Sequence, residues 1–278
     1  MAHPDHHLHA NSRLFVDPQR PPPARHRLGR RRFLTDIGRG TLAVTILGVA
    51  ACSADDTDTN QPAGTDPADT SSDTTATTTP AAEPVSWHRV NLGFVSAYVL
   101  VRGREAAIVD TGTAGSETAI AQTLSDLSVD WADVNHVLLT HFHPDHAGST
   151  PAVLEAADGA TGYAGEADIP AIQSPRPLRA VGDGDEIFGL QIIATPGHTP
   201  GHISVLDPDG GFLVAGDALT TDAAGVAGPN EGFTADLPQA HDSVRKLAEL
   251  TYADLLAGHG DPVEGDADTQ VTALATTL

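Results

Sequence analysis

Apolar residues fall along the chain in short runs whose period changes. Residues 96–101, 106–109, 136–140 (HVLLT), 191–194, 203–206 and 211–214 are brief, nearly continuous apolar stretches bounded by Gly, Pro or Asp. Such runs read as strands. Residues 102–105 form a turn between the first two, and residues 207–211 (DPDGG) read as a hairpin turn. Residues 117–127 place Ile120, Leu124 and Leu127 at helical spacing, and residues 237–250 do the same with Val244, Leu247 and Leu250. A further helix is expected near residues 151–157, and residues 254–257 give a last strand. Strands and helices alternate in two halves, each beginning with strands. That periodicity predicts an α/β domain and, by itself, no more.

The first 84 residues are unlike the rest, which makes one folded domain of residues 85–278 the better count for a chain of 278. Residues 1–27 are rich in His, Pro and Arg and carry no period. Residues 29–35 (GRRRFLT) resemble a twin-arginine export signal. Residues 41–51 (TLAVTILGVAA) are apolar but too few to span a bilayer core of about 30 Å as a helix, so they fit a signal-peptide hydrophobic region. They end in Val49-Ala50-Ala51-Cys52, which resembles a bacterial lipobox. Cys52 is the only cysteine, so no intrachain disulfide can form, and its position is explained as a lipid anchor. Residues 53–84 are Asp, Thr, Ser, Ala and Pro with almost no large apolar residue and cannot bury a core. The expected organisation is a leader with export signal and lipobox (1–52), a disordered tether (53–84) and a folded domain (85–278). The expected location is the outer face of the cytoplasmic membrane or cell envelope, with the membrane contacted through the anchor alone.

The chemistry is concentrated in residues 141–146, HFHPDH. Three imidazoles and a carboxylate lie within six residues, directly after the 136–140 run. His nitrogens with a carboxylate suit Zn²⁺ or another divalent first-row ion. Pro144 and Gly148 argue for a loop here, because proline lacks an N–H and disfavours the helical region at His143. Four such side chains on one short loop crowd a single ion, so the spacing suits two. Three more ligand-type residues follow apolar runs and are flanked by Gly or Pro: His198 in TPGHTPGH (195–202), Asp217 in AGD (215–217) and His259 in GHG (258–260).

At these residues the chain resembles the metallo-β-lactamase superfamily. The match is HxHxDH at 141–146, then His198, Asp217 and His259, with Val109-Asp110-Thr111-Gly112 similar to an earlier family motif. The resemblance covers roughly residues 86–265. It implies a four-layer αββα sandwich with metals at one edge between two sheets. It implies two divalent metal ions, zinc foremost: His141, His143 and His198 on the first, Asp145, His146 and His259 on the second, Asp217 bridging. It further implies a hydroxide bridging the metals as nucleophile, Asp145 as a candidate proton relay, and Asp110 and Thr140 orienting the histidine ligands. His202 lies outside the seven and reads as structural or pocket-lining. His136 and His241 read as non-ligands, and His88 as a residue near the mouth of the site.

Charge narrows the partners. From residue 85 onward there are 27 Asp and Glu against 7 Lys and Arg, and Lys246 is the only lysine. Nucleic acid demands a basic footprint, so none is expected as a partner, and the interval from Asp217 to His259 is too short for the extra domain of the superfamily's nucleases. TPGHTPGH and the Asp217 position resemble the glyoxalase II and lactonase branches. Only 19 residues follow His259, so the C-terminal helical domain of glyoxalase II is not expected. The expected function is metal-dependent hydrolysis of a small ester, thioester or lactone. The alternatives are β-lactamase-type amide hydrolysis and a non-catalytic zinc-binding surface lipoprotein.

Overall fold

The computed structural model describes residues 83–278. The export signal, the lipobox with Cys52, and all of the tether except Glu83 and Pro84 lie outside the described residues. None of the helices among the described residues is long and apolar enough to cross a membrane.

Two sheets carry the fold. The first has the order β1 (Ser86–Asn91), β2 (Ser96–Arg102), β3 (Glu105–Val109), β4 (Val134–Leu139), β5 (Thr161–Gly165), β6 (Arg179–Val181). β1, β2 and β3 are antiparallel neighbours, and β3 to β6 run parallel. The second sheet contains β7 (Glu186–Ile187), β8 (Leu190–Ala194), β9 (Ile203–Asp207) and β10 (Phe212–Gly216). After the small hairpin of β11 (Thr220–Asp222) and β12 (Gly225–Ala227), β13 (Asp254–Ala257) joins its edge parallel to β10, giving the order β13-β10-β9-β8-β7. The helices are α1 (Glu117–Asp126), α2 (Pro144–Ala147), α3 (Thr150–Ala156), α4 (Leu237–Leu247) and α5 (Ala267–Ala275).

Strand side chains point alternately to opposite faces, and here both faces are covered. In β3, Ala106 and Ile108 face a core shared with Ile120, Leu124 and Leu154, while Ala107 and Val109 face the second sheet. β10 repeats this: Phe212 and Val214 meet the first sheet, and Leu213 and Ala215 meet Val244, Leu247 and Val271. Three apolar layers therefore separate four structural layers, helices–sheet–sheet–helices, the αββα sandwich. Burial on both faces explains why these strands read as continuous apolar runs rather than alternating ones.

The turn at 207–211 closes β9 on β10, with Gly211 at φ +71° and Asp207 Oδ1 accepting from the amides of Asp209 and Gly210. α4 starts where Asp236 accepts from the Gln239 amide, and Arg245 and Lys246 sit in its last turn. Leu127 and Leu250 lie just past their helices but still pack on the cores.

One expectation is corrected. Residues 144–147 form a short helix, not a loop. The proline argument holds one residue earlier: His143 is extended (φ −58°, ψ 145°), and Pro144 occupies the first turn, where its missing N–H costs nothing. β1, β5, β6, β7, the β11–β12 hairpin and α5 were not expected from the sequence.

The site edge requires close backbone approach at Gly165. A Cβ there would stand 1.9 Å from Gly201 O, whereas one at Gly159 would meet nothing within 4 Å. Gly165→Ala is expected to destabilise the domain by about 2 kcal/mol or more, because backbone cannot yield as a side chain does. Gly159→Ala should leave the urea midpoint unchanged or slightly raised. Equal midpoints for the two variants would refute this reading of the contact.

Candidate metal centre

Each ligand-type residue stands just beyond the C-terminal end of a strand. Asp110 follows β3, His141 follows β4, His198 lies past β8, Asp217 follows β10 and His259 lies past β13. His141, His143, Asp145 and His146 come from the first sheet's side, and His198, Asp217 and His259 from the second. All seven sequence-predicted residues meet in one place. Ligand atoms of His141, His143 and His198 lie within 4.8 Å of one another, and so do those of Asp145, His146 and His259. His141, His146 and Asp217 form a third such group. Asp217 reaches both sides: Oδ1 is 3.2 Å from His146 Nε2, and Oδ2 is 3.4 Å from His198 Nε2 and 3.3 Å from His259 Nε2.

The outer nitrogens decide what the inner ones do. Thr140 Oγ1 donates to the Asp110 carboxylate (2.8 Å), so it accepts from His141 Nδ1 at 3.0 Å. His141 Nε2 is left as a lone pair. Thr234 Oγ1 donates to Asn230 O, so it accepts from His198 Nδ1, and His198 Nε2 is likewise a lone pair. Both point at His143 Nδ1, at 3.0 and 2.9 Å. On the other side, His146 Nδ1 donates to Asp110 Oδ2 (2.8 Å) and His259 Nδ1 to Phe94 O (2.7 Å). Their Nε2 atoms lie 3.4 Å apart. Nitrogens that face one another with their donors spent elsewhere repel, unless protons or a cation stand between them.

Electrostatics follow the same division. Burial lowers His141 and His143, and pushes His198 down to about 4. On the second side carboxylates win. Hydrogen bonds that His259 donates to Asp145 and Asp217 raise it to about 10. Burial of His146 would lower it, but Asp217 and Asp110 hold it well above its ordinary value. Asp217, although buried, is kept well below the carboxylate range by His146 and His259, and Asp145 is lowered by the hydrogen bond it accepts from His259. Asp217 Oδ1 is nevertheless buried without a hydrogen-bond partner of proper geometry. An orphaned carboxylate oxygen among inward lone pairs is a donor set that fits divalent first-row cations.

Asp110 holds its carboxylate in place at a backbone cost. Its φ is +61°, a region few non-glycine residues occupy. In return, its side chain accepts from the Thr140 amide and hydroxyl as well as from His146.

One positioning residue, Asp168, was not legible beforehand, and a second, His202, takes the structural role read for it from the sequence. Asp168 is buried and accepts from the Phe142 amide (3.2 Å), Thr199 Oγ1 (2.6 Å) and the Gly201 amide (2.7 Å), tying the 141–146 segment to the 195–202 loop. His202 accepts the Asp217 amide on Nε2 (3.0 Å), so its Nδ1 donates to Thr195 Oγ1. Thr195 passes to Ser204 Oγ, which donates to Ala215 O. Burial pushes His202 down to about 3, in keeping with a neutral ring. The repeat in TPGHTPGH was the one available signal for it. Of the remaining histidines, His136 bonds Tyr163 OH and His241 lies on α4. His88 bonds Ser86 Oγ within β1 and does not line the cavity over the cluster, contrary to its expected place near the mouth.

Residues 90–259 match the family model of the metallo-beta-lactamase superfamily. The chain is 30% identical over 196 residues to an uncharacterised Bacillus subtilis protein, YobT, covering 60% of this chain and 83% of that one. It is 35% identical over 164 residues to a hydroxyacylglutathione hydrolase of Parasynechococcus marenigrum, covering 55% of this chain and 60% of that protein, so it spans less than two thirds of that relative. A metallo-beta-lactamase family protein of Thermus thermophilus, TTHA1429, superposes with a TM-score of 0.56 at 26% identity, over 69% of this chain and 78% of that one. On the extent of the family match, the chain belongs to the metallo-beta-lactamase superfamily.

Proposed function

We propose that the domain is a hydrolase that holds two divalent ions, zinc foremost, and cleaves a small ester, thioester or lactone. The observation that carries this reading is the pair of inward-facing donor groups joined by Asp217 at the floor of a cavity of about 410 Å³. His141, His143 and His198 would hold one ion and Asp145, His146 and His259 the other, with Asp217 within reach of both groups. Divalent ions so held polarise a carbonyl oxygen and bring the ionisation of water to near neutrality.

The chain's own groups set the stage for that chemistry. Asp110 and Thr140 fix the rings of His146 and His141, so the lone pairs point inward without rotamer search. Asp145, half-buried and lining the cavity, has Oδ2 3.3 Å from His259 Nε2, a position from which it can hold or pass a proton. The lining offers Thr220 as its only hydroxyl side chain and no thiol, so no covalent nucleophile is assigned. A neighbouring cavity of about 430 Å³ has His202 as its only histidine, and both of its nitrogens are already bonded.

The reading is tested by chelation followed by stepwise return of zinc, with hydrolysis of lactones, thioesters and esters followed at each step. Activity should return with metal. Equal activity without metal would overturn metal-dependent hydrolysis, and no activity on any carbonyl compound while metal stays bound would favour the non-catalytic zinc-binding lipoprotein.

Loading should also release protons. His146 and His259 carry raised pKa values and must give up a proton to coordinate. Calorimetry at pH 7 in buffers of different ionisation enthalpy should show about one to two protons released per chain, and the apparent affinity should rise with pH. A heat independent of buffer would contradict the protonated pair.

Asp110→Asn retains a side chain that tolerates positive φ but loses the anionic acceptor for His146. It should weaken metal binding by about 10–100-fold while leaving the fold intact by circular dichroism. Unchanged affinity would remove Asp110 from the positioning role.

We also propose export through Arg30 and Arg31 and anchoring through Cys52, on the strength of the leader's residue order. Cys52→Ser should shift the protein from the membrane to the soluble fraction. A variant that stays on the membrane would end the lipoprotein reading.

A further inference from the structure

Only two large apolar side chains are strongly exposed among the described residues, Phe94 (64%) and Phe233 (70%). Aromatic residues make up just 4% of the chain, yet both of these line the cavity over His143, Asp145, Asp217 and His259. Scattered exposed apolar residues need no explanation, but two on one cavity do.

Both are built onto the histidines beneath. Phe94 O accepts from His259 Nδ1, and its ring stacks on the imidazole at 6.1 Å between centroids with 17° between planes. Phe233 ends a one-turn segment whose Asn230 side chain accepts from the Gly232 amide. The next residue, Thr234, accepts from His198 Nδ1, and the Ala235 amide returns to His198 O. The Phe94 ring, and the backbone that carries Phe233, are thus each fixed relative to one side of the donor cluster. Exposed rings held in place lose little freedom on contact with a ligand.

The charges around them point one way. No lysine or arginine lines the cavity, while Asp145 and Asp217 do. Arg89 is spent on Asp261 (2.7 Å), Gly260 O and Ser96 Oγ. The described chain is strongly acidic overall. A substrate carboxylate away from the reacting carbonyl would find no cation of the protein to pair with.

We propose that this cavity selects an uncharged carbonyl compound whose apolar or aromatic group packs on Phe94 and Phe233, and that it rejects analogues carrying a carboxylate on that group. The choice of a carbonyl compound rests on the hydrolase reading; the apolar, charge-excluding subsite does not.

A matched pair of probes tests it on the metal-loaded protein. p-Nitrophenyl hexanoate and the p-nitrophenyl half-ester of adipic acid share chain length and leaving group and differ in one terminal charge. kcat/KM should favour the hexanoate by about tenfold or more. Phe233→Ala should erase most of that preference through KM with metal content unchanged, and Phe94→Leu and Phe233→Leu, which keep apolar bulk, should retain it. Hexanamide and adipamic acid, which are not turned over as activated esters, are compared by saturation-transfer NMR. Hexanamide should bind in the parent and lose binding in Phe233→Ala, and adipamic acid should bind weakly in both. If neither ester is cleaved but hexanamide binding depends on Phe233, the hydrolase reading falls and the subsite stands. Equal or better use of the half-ester, or hexanamide binding indifferent to Phe233, overturns the subsite.

Discussion

The site depends on one constraint: each histidine but His143 spends its outer nitrogen on a fixed acceptor. Thr140, Thr234, Asp110 and Phe94 O take those protons, and the inner nitrogens have nowhere to point but toward one another. The acceptors are themselves committed. Thr140 is held by Asp110, and Thr234 by Asn230 O. These hydrogen bonds orient the rings around the donor cluster. Mutual repulsion of the lone pairs is the stored cost, offset by protons on His146 and His259 or by cations.

The sandwich makes that constraint possible. Strands buried on both faces leave only their ends free to carry polar groups, and the parallel pairs β3–β4 and β10–β13 bring those ends to one edge. Three cross-sheet bonds fix the edge: Tyr98 OH to Ala257 O at 2.8 Å, the Ser96 amide to Gly258 O at 2.9 Å, and the Ile203 amide to Thr140 O at 2.9 Å. Asp168 and His202 then set the two loops that no strand controls directly.

Much of this was legible because the chain repeats one pattern, an apolar run followed by a glycine- or proline-flanked ligand residue. The double-sided burial made the central strands unmistakable. What stayed hidden had physical reasons. β1 (SWHRVN) is a half-buried edge strand without a clean alternation. α5 is rich in Ala and Thr and buries only Ala267 and Val271. Asp168 is one acid among 37 Asp and Glu, and nothing local marks its burial. Phe94 and Phe233 are lone aromatics in loops, and their meeting at one cavity is a product of tertiary structure. Residues 144–147 misled because proline forbids helix before itself and favours it after.

The donor groups are drawn from segments far apart in sequence: 141–146, then 198, 217 and 259. An ion gripping them would act on the unfolded chain as a crosslink does, since a chain that comes apart must also let the ion go. Closing such long intervals removes conformational freedom that the free chain would otherwise regain. Ion supply would therefore govern how long the folded domain survives as well as what it does. In this sequence, whose sole cysteine lies outside the described residues, coordination would do for the domain what a covalent bridge does elsewhere.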